Sequence, residues 1–186
     1  NIFGYFSRKI DGRILYDFII TGGEKSKLIK HEKPFNNSKF INAHSYDYDV
    51  YLAENKKTNE SIFNHNYAVF LDEGVFHHPD LDYLDVPAPG KSEKVYYEEL
   101  SAFFNKFEQL TNLEVVISLH PRIKKHKKFG QRKIFEGKTA NLVRNANKVI
   151  LHASTSISYA ILYQKPVIFV DSTNFSKDYS NTIGIM

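Results

Sequence analysis

Short apolar runs alternate along this chain with longer stretches in which apolar residues recur every three or four positions. Tyr67–Leu71, Leu113–Leu119, Lys148–Leu151 and Pro166–Val170 are each nearly continuous in apolar residues, the pattern of strands buried on both faces. Asp17–Ile20 and Lys39–Ala43 read as further short strands, the first closed by a Thr21-Gly22-Gly23 turn. Behind Ser92, a candidate N-cap, Tyr96, Leu100, Phe103, Phe107 and Leu110 fall at helical steps and predict an amphipathic helix with an aromatic core face. A short helix follows His44–Asp49, another passes through Leu142 and Val143, and a third through Ile157, Ala160 and Ile161. From Ser92 onward, helices and strands thus alternate, which argues for a parallel sheet with covering helices. The expected class is α/β, with Rossmann-like parallel sheets and helices on both faces.

Pro87-Ala88-Pro89-Gly90 is the clearest break, and it predicts a division into residues 1–88 and 89–186. The length of 186 residues suits one large or two small domains, and 42% hydrophobic residues exclude a disordered chain. The chain opens at Asn1 and stops soon after a strand-like run, so the expectation is an excerpt of a longer protein. Without cysteine there is no disulfide framework and no thiolate chemistry, which fits a reducing, cytoplasmic setting. No apolar run reaches the length of a membrane span. A net charge of +4 suits an anionic ligand, or peripheral contact with an anionic membrane, and does not by itself call for nucleic acid.

The candidate chemistry lies at the ends of the predicted strands, where open α/β sheets bind ligands. Tyr67–Leu71 delivers Asp72-Glu73-Gly74, and a carboxylate there can act as a general base. The two acids point to opposite sides of an extended segment, so one is catalytic and the other structural, or both are solvated strand-end acids. Leu113–Leu119 delivers His120-Pro121-Arg122, in which the Arg fork can hold phosphate oxygens and the His can protonate a departing phosphate. Lys148–Leu151 leads into Ser154-Thr155-Ser156 ahead of a helix, either a plain N-cap or an anion site. The helix start at Gly137-Lys138-Thr139 is a second candidate ligand contact. Adjacent His77 and His78 do not have metal-ligand spacing, and no metal site is expected. The basic stretch from Arg122 to Lys133 reads as a solvated loop beside the anion site.

The acidic pair with Gly at Asp72-Glu73-Gly74, His120-Pro121, and the hydroxyls of Ser154-Thr155-Ser156 resemble, in order, three motifs of bacterial sialyltransferases. From Asp17 onward the chain is also similar to glycosyltransferases of bacterial surface-polysaccharide gene clusters. The resemblance implies a two-domain GT-B fold, here incomplete, and an inverting, metal-independent transfer from a CMP-sugar co-substrate to a glycan or glycolipid acceptor. It implies no other cofactor. Asp72 would then deprotonate the acceptor and His120 would serve the leaving phosphate. Arg122, Ser154, Thr155 and Ser156 would bind that phosphate, and Gly137, Lys138 and Thr139 would lie near the nucleotide. Asp47-Tyr48-Asp49 has the spacing of metal-dependent transferases but sits in an aromatic, helix-like segment. Two alternatives stand beside this reading. One is a transferase using CDP-glycerol or another nucleotide donor; the other is a non-catalytic anion- or RNA-binding module built on the basic strip.

Overall fold

The computed structural model describes residues 6–10, 13–22, 38–58, 61–123 and 129–185. By their contacts they fall into two units, Asn1–Lys56 and Lys57–Met186. In the first, β1 (Phe6–Ile10) pairs antiparallel with β2 (Arg13–Gly22), and β2 pairs in parallel with β3 (Lys39–Ala43), ahead of α1 (Tyr46–Asn55). The sheet is mixed, not the parallel Rossmann-like half expected of residues 1–88. Its cause is the register: Ile10 opposes Arg13, and so short a connection permits only antiparallel pairing. Along β2, Ile19 and Thr21 are buried while Phe18 and Ile20 are exposed, so this strand is covered on one face only. Gly23 of the anticipated turn lies outside the described residues.

The second unit contains β4 (Tyr67–Leu71), α2 (Pro79–Leu84), α3 (Glu93–Thr111), β5 (Glu114–Ser118) and β6 (Ile134–Phe135). It continues with α4 (Thr139–Asn145), β7 (Lys148–Leu151), α5 (Ile157–Leu162), β8 (Val167–Phe169) and α6 (Lys177–Ile185). Its five strands form one parallel sheet in the order β6-β5-β4-β7-β8. The fold class is therefore α/β, with a Rossmann-like parallel sheet flanked by helices.

This topology moves the expected boundary. β4 is the central strand, so residues 57–88 belong with the second unit and the break at Pro87–Gly90 divides nothing. That segment is sewn into the unit: Gly90 bridges Phe175, and the backbone N–H groups of Lys91 and Ser92 donate to Asn174.

Helices cover both faces of this sheet. On one face Phe70 packs edge-on to Phe104 of α3 at 5.1 Å, in a cluster with Ala68, Val115, Ile117, Ile150, Tyr96, Leu100 and Phe107. On the other, the hydroxyl of Tyr67 donates to the Leu142 carbonyl of α4 at 2.7 Å, and Leu142 and Val143 are fully buried. β4 is buried at all five positions, as its apolar run predicts. The Ser92 hydroxyl accepts from the Val95 N–H and caps α3. The aromatic face of α3 is packing, but its phase is shifted: Phe104 is buried, while Phe103 is only partly so and Leu110 is 76% exposed. The last described element is a helix, α6, which the sequence reading did not include. No helix among the described residues is long and apolar enough to cross a membrane.

Candidate active site at the carboxyl edge of the parallel sheet

Because all five strands run the same way, their C-terminal ends share one edge. β4 connects through α3 to β5 on one side, whereas β7 connects through α5 to β8 on the other, so the strand order reverses between β4 and β7. Such a reversal opens a crevice at the carboxyl edge. Asp72-Glu73-Gly74, His120-Pro121-Arg122 and the Ser154–Ser156 stretch leave the three adjoining strands β4, β5 and β7 there. Asp72 therefore belongs to the same sheet as the other two motifs.

The two neighbouring acids diverge. Asp72 turns toward β5: one carboxylate oxygen accepts the Gly74 N–H at 3.2 Å, and the other lies 3.4 Å from the His120 N–H. Its side chain is buried, and burial raises its pKa, opposed by these N–H groups and by nearby His77. Gly74 holds the turn at φ +63°, where a Cβ would also strike Ile123. Glu73 turns toward β7, where its Oε1 accepts the N–H groups of His152 at 3.0 Å and Ala153 at 2.7 Å. Its Oε2 accepts the hydroxyl of Tyr179 in α6 at 2.7 Å. Burial raises the Glu73 pKa as well, against these donors and with a further push from Asp72.

His120 accepts the Arg122 backbone N–H on Nδ1 at 3.3 Å, so in its neutral form the proton resides on Nε2. Its ring meets His78 edge-on at 4.6 Å. Burial, then His78 and Arg122, lower its pKa, while Asp80 opposes them. The Arg122 guanidinium reaches Asp80 at 3.1 Å in an exposed pair. Exposed pairs contribute about 0–1 kcal/mol, so an incoming phosphate could displace Asp80 at small cost. His77 bonds Glu93 and His78 approaches Asp80, so the adjacent histidines diverge. Among the described residues no group of three or more His, Asp or Glu could hold a metal ion.

Beyond β7, the Ser154 hydroxyl accepts the Ser156 N–H at 3.3 Å and forms a local turn. Ser156 stands at the N-cap position and makes no side-chain cap bond, so the capping role the sequence allowed falls to the Ser154 hydroxyl, at the start of the turn that leads into α5. α5 is only six residues long, so the hydroxyls rather than a long helix dipole are the polar feature here. At the edge strand β6, Gly137 (φ +63°) and Lys138 are exposed ahead of α4, while the Thr139 hydroxyl is 2.8 Å from that of Ser118. Thr139 thus ties α4 to β5, leaving Gly137 and Lys138 as the accessible pair.

Other charged motifs have local partners. Asp47 and Asp49 occupy the first turn of α1 in the other unit, where acids favour a helix start, and His44 pairs with Asp49 at 2.8 Å. Within the basic strip, Arg132 bonds Glu108 and Asn105 and lies over Phe104, and Lys133 bonds Glu114. Lys124, Lys125, Lys127 and Lys128 lie outside the described residues. A groove of about 580 Å³, lined by His65, Asn66, Glu108, Asn112, Leu113 and Glu114, lies where β4 and β5 begin, opposite the motif edge. None of the sequence candidates lines it.

Sequence reasoning missed the Glu73–Tyr179 bond and the buried His152. The latter is 1% exposed and stands between the Tyr96 hydroxyl at 3.0 Å and the Val170 carbonyl at 2.5 Å. No family model matches this chain, and no curated protein matches it either. The class defined by the structure is an α/β unit with a Rossmann-like sheet whose carboxyl edge carries a carboxylate, a histidine and a hydroxyl loop on adjoining strands.

Proposed function

We propose that this chain acts in a glycosyltransferase of the sialyltransferase-like kind. It moves a sialic acid-like sugar from a CMP-activated donor to a glycan or glycolipid acceptor in surface-polysaccharide synthesis, at the cytoplasmic face of a membrane. The observation that carries the reading is the convergence of Asp72, His120 and Ser154–Ser156 on three adjoining strand ends, Asp72 lying 3.4 Å from the His120 N–H.

In this reading Asp72 takes the proton of the acceptor hydroxyl. The freed oxygen attacks the anomeric carbon as the bond to the CMP phosphate breaks, and the electron pair leaves with the phosphate. One such displacement inverts the anomeric centre. A raised pKa suits Asp72 for accepting a proton. Negative charge growing on the phosphate meets the Nε2–H of His120, the Arg122 guanidinium and the hydroxyls of Ser154, Thr155 and Ser156. Gly137 and Lys138 lie at the same edge, near the nucleotide. One cavity of the unit, lined by Tyr96, Glu99, His152 and Asp171 among others, is about 80 Å³, and a nucleotide needs several times that volume. In this reading the donor lies across the open edge of the sheet instead.

Asp72→Asn tests the assignment. Transfer from a CMP-sugar falls by about a thousandfold or more while CMP affinity stays within about twofold of wild type, because only the transition state uses the base. Full activity in this variant removes Asp72 as the base.

A further inference from the structure

Glu73 makes its bonds to parts of the chain distant in sequence. Its Oε1 accepts from His152 (3.0 Å) and Ala153 (2.7 Å), and its Oε2 accepts from Tyr179 (2.7 Å). Both backbone donors immediately precede Ser154. They are also the first N–H groups beyond β7, the position at the strand-order reversal where an anionic ligand would otherwise be received. A protein carboxylate already fills it.

The Tyr179 hydroxyl is well placed to stay a donor, since burial and the neighbouring Glu73 and Asp72 all raise its pKa. Phe175 packs edge-on to the Tyr179 ring at 4.8 Å and to the His152 ring at 5.0 Å, so the same contact has an apolar backing. Within one residue of Asp72, the chain therefore sends a three-point anchor to the segment that carries the hydroxyl loop and to α6.

From this geometry we infer that Glu73 is a positioning residue. It fixes the His152–Ala153 segment, and through it the Ser154-Thr155-Ser156 hydroxyls, at a set distance from Asp72, and it holds α6 against the same edge. The consequence for donor affinity rests on the proposed function; the anchor itself does not. A carboxylate with three donors on one side and the base on the other couples the two halves of the site, so that freeing it misplaces the phosphate ligands without touching Asp72.

Three variants of the full chain test it: Glu73→Ala, Glu73→Gln and Tyr179→Phe. Glutamine keeps the anchor, because its carbonyl oxygen can accept both backbone N–H groups while its amide donates to the Tyr179 oxygen. Backbone amide exchange is followed by mass spectrometry, and CMP binding by calorimetry. In Glu73→Ala, exchange across residues 152–156 speeds up while β4 and β5 stay protected, and the Kd for CMP rises by about tenfold or more, as misplaced ligands require. Glu73→Gln restores both, and Tyr179→Phe gives an intermediate shift. Wild-type exchange at 152–156 in folded Glu73→Ala overturns the anchor. Faster exchange with unchanged CMP affinity overturns its role in donor binding but leaves the proposed function standing. Should Glu73→Ala fail to fold, Tyr179→Phe with wild-type exchange and affinity overturns the inference equally. A wild-type chain that ignores CMP removes the donor reading, and the exchange data then decide the anchor alone.

Discussion

His120 is buried enough to hold its pKa below the usual histidine value of 6.5, with His78 and Arg122 adding to the effect. Near neutral pH it is therefore the neutral Nε2–H tautomer, fixed by the Arg122 N–H on Nδ1. A neutral imidazole still donates a hydrogen bond to a phosphate oxygen; a protonated one adds charge. CMP affinity should then gain a contribution as pH falls through the His120 pKa. The phosphate itself takes up a proton near pH 6, in the opposite sense. The informative quantity is thus the difference between wild type and His120→Gln, measured by calorimetry from pH 7.5 down to 5. The gap is expected to widen toward acid, to about tenfold, the worth of one charge-assisted hydrogen bond. A constant gap would remove His120 from the phosphate. The apolar runs before them made the strand-end placement of Asp72, His120 and Ser154–Ser156 legible in the sequence. The bonds of Glu73 were not, because its partners are 79, 80 and 106 residues away, and no local pattern marks such a pairing.

At the scale of elements, His152 locks α3 to the sheet. In the neutral ring Nδ1–H donates to the Val170 carbonyl past β8, and Nε2 accepts the Tyr96 hydroxyl from α3. Burial depresses its pKa to about 4 from the ordinary 6.5. The unfolded chain therefore binds a proton between those values that the folded chain does not, and stability falls as pH drops from 6.5 to 4. One group shifted this far contributes about 3 kcal/mol. Asp72 and Glu73, with raised pKa values, act in the opposite sense in the same range. Chemical denaturation of wild type and His152→Gln isolates the histidine, because glutamine can serve both partners without titrating. Wild type should lose about 3 kcal/mol relative to the variant across that interval; parallel pH profiles would mean that His152 is not buried neutral.

The strands β4, β5 and β7 were readable because continuous apolar runs are what a two-sided sheet demands. β8 has the same run but lies at the sheet edge, partly buried at Val167 and Ile168 and exposed at Phe169, not buried on both faces as expected. The two-residue β6 carries too few positions to show a period. The antiparallel pairing of β1 with β2 did have a signal in the sequence, the dipeptide Asp11-Gly12. In α3 the paired Phe103-Phe104 left the phase ambiguous, and only packing against Phe70 selected Phe104.

Over the whole molecule, a proline-rich stretch suggested a boundary that sheet pairing overrode. Proline and glycine report local stiffness, whereas unit boundaries follow from which strands pair. Once β4 entered the sheet between β5 and β7, Asp72 was bound to share an edge with His120 and the hydroxyl loop. That shared edge is the central claim, and it has a chemical consequence. A site built for the phosphate of CMP discriminates among nucleotides, and a ligand that binds the folded state raises its melting temperature. The decisive measurement is a thermal-shift and calorimetric comparison of CMP, CDP, UDP, GDP and ADP on the wild-type chain, repeated with His120→Gln. Stabilisation by CMP above the other nucleotides, weakened in the variant, is the predicted result. Equal stabilisation by all of them, or by none, would contradict a CMP-sugar site at this edge.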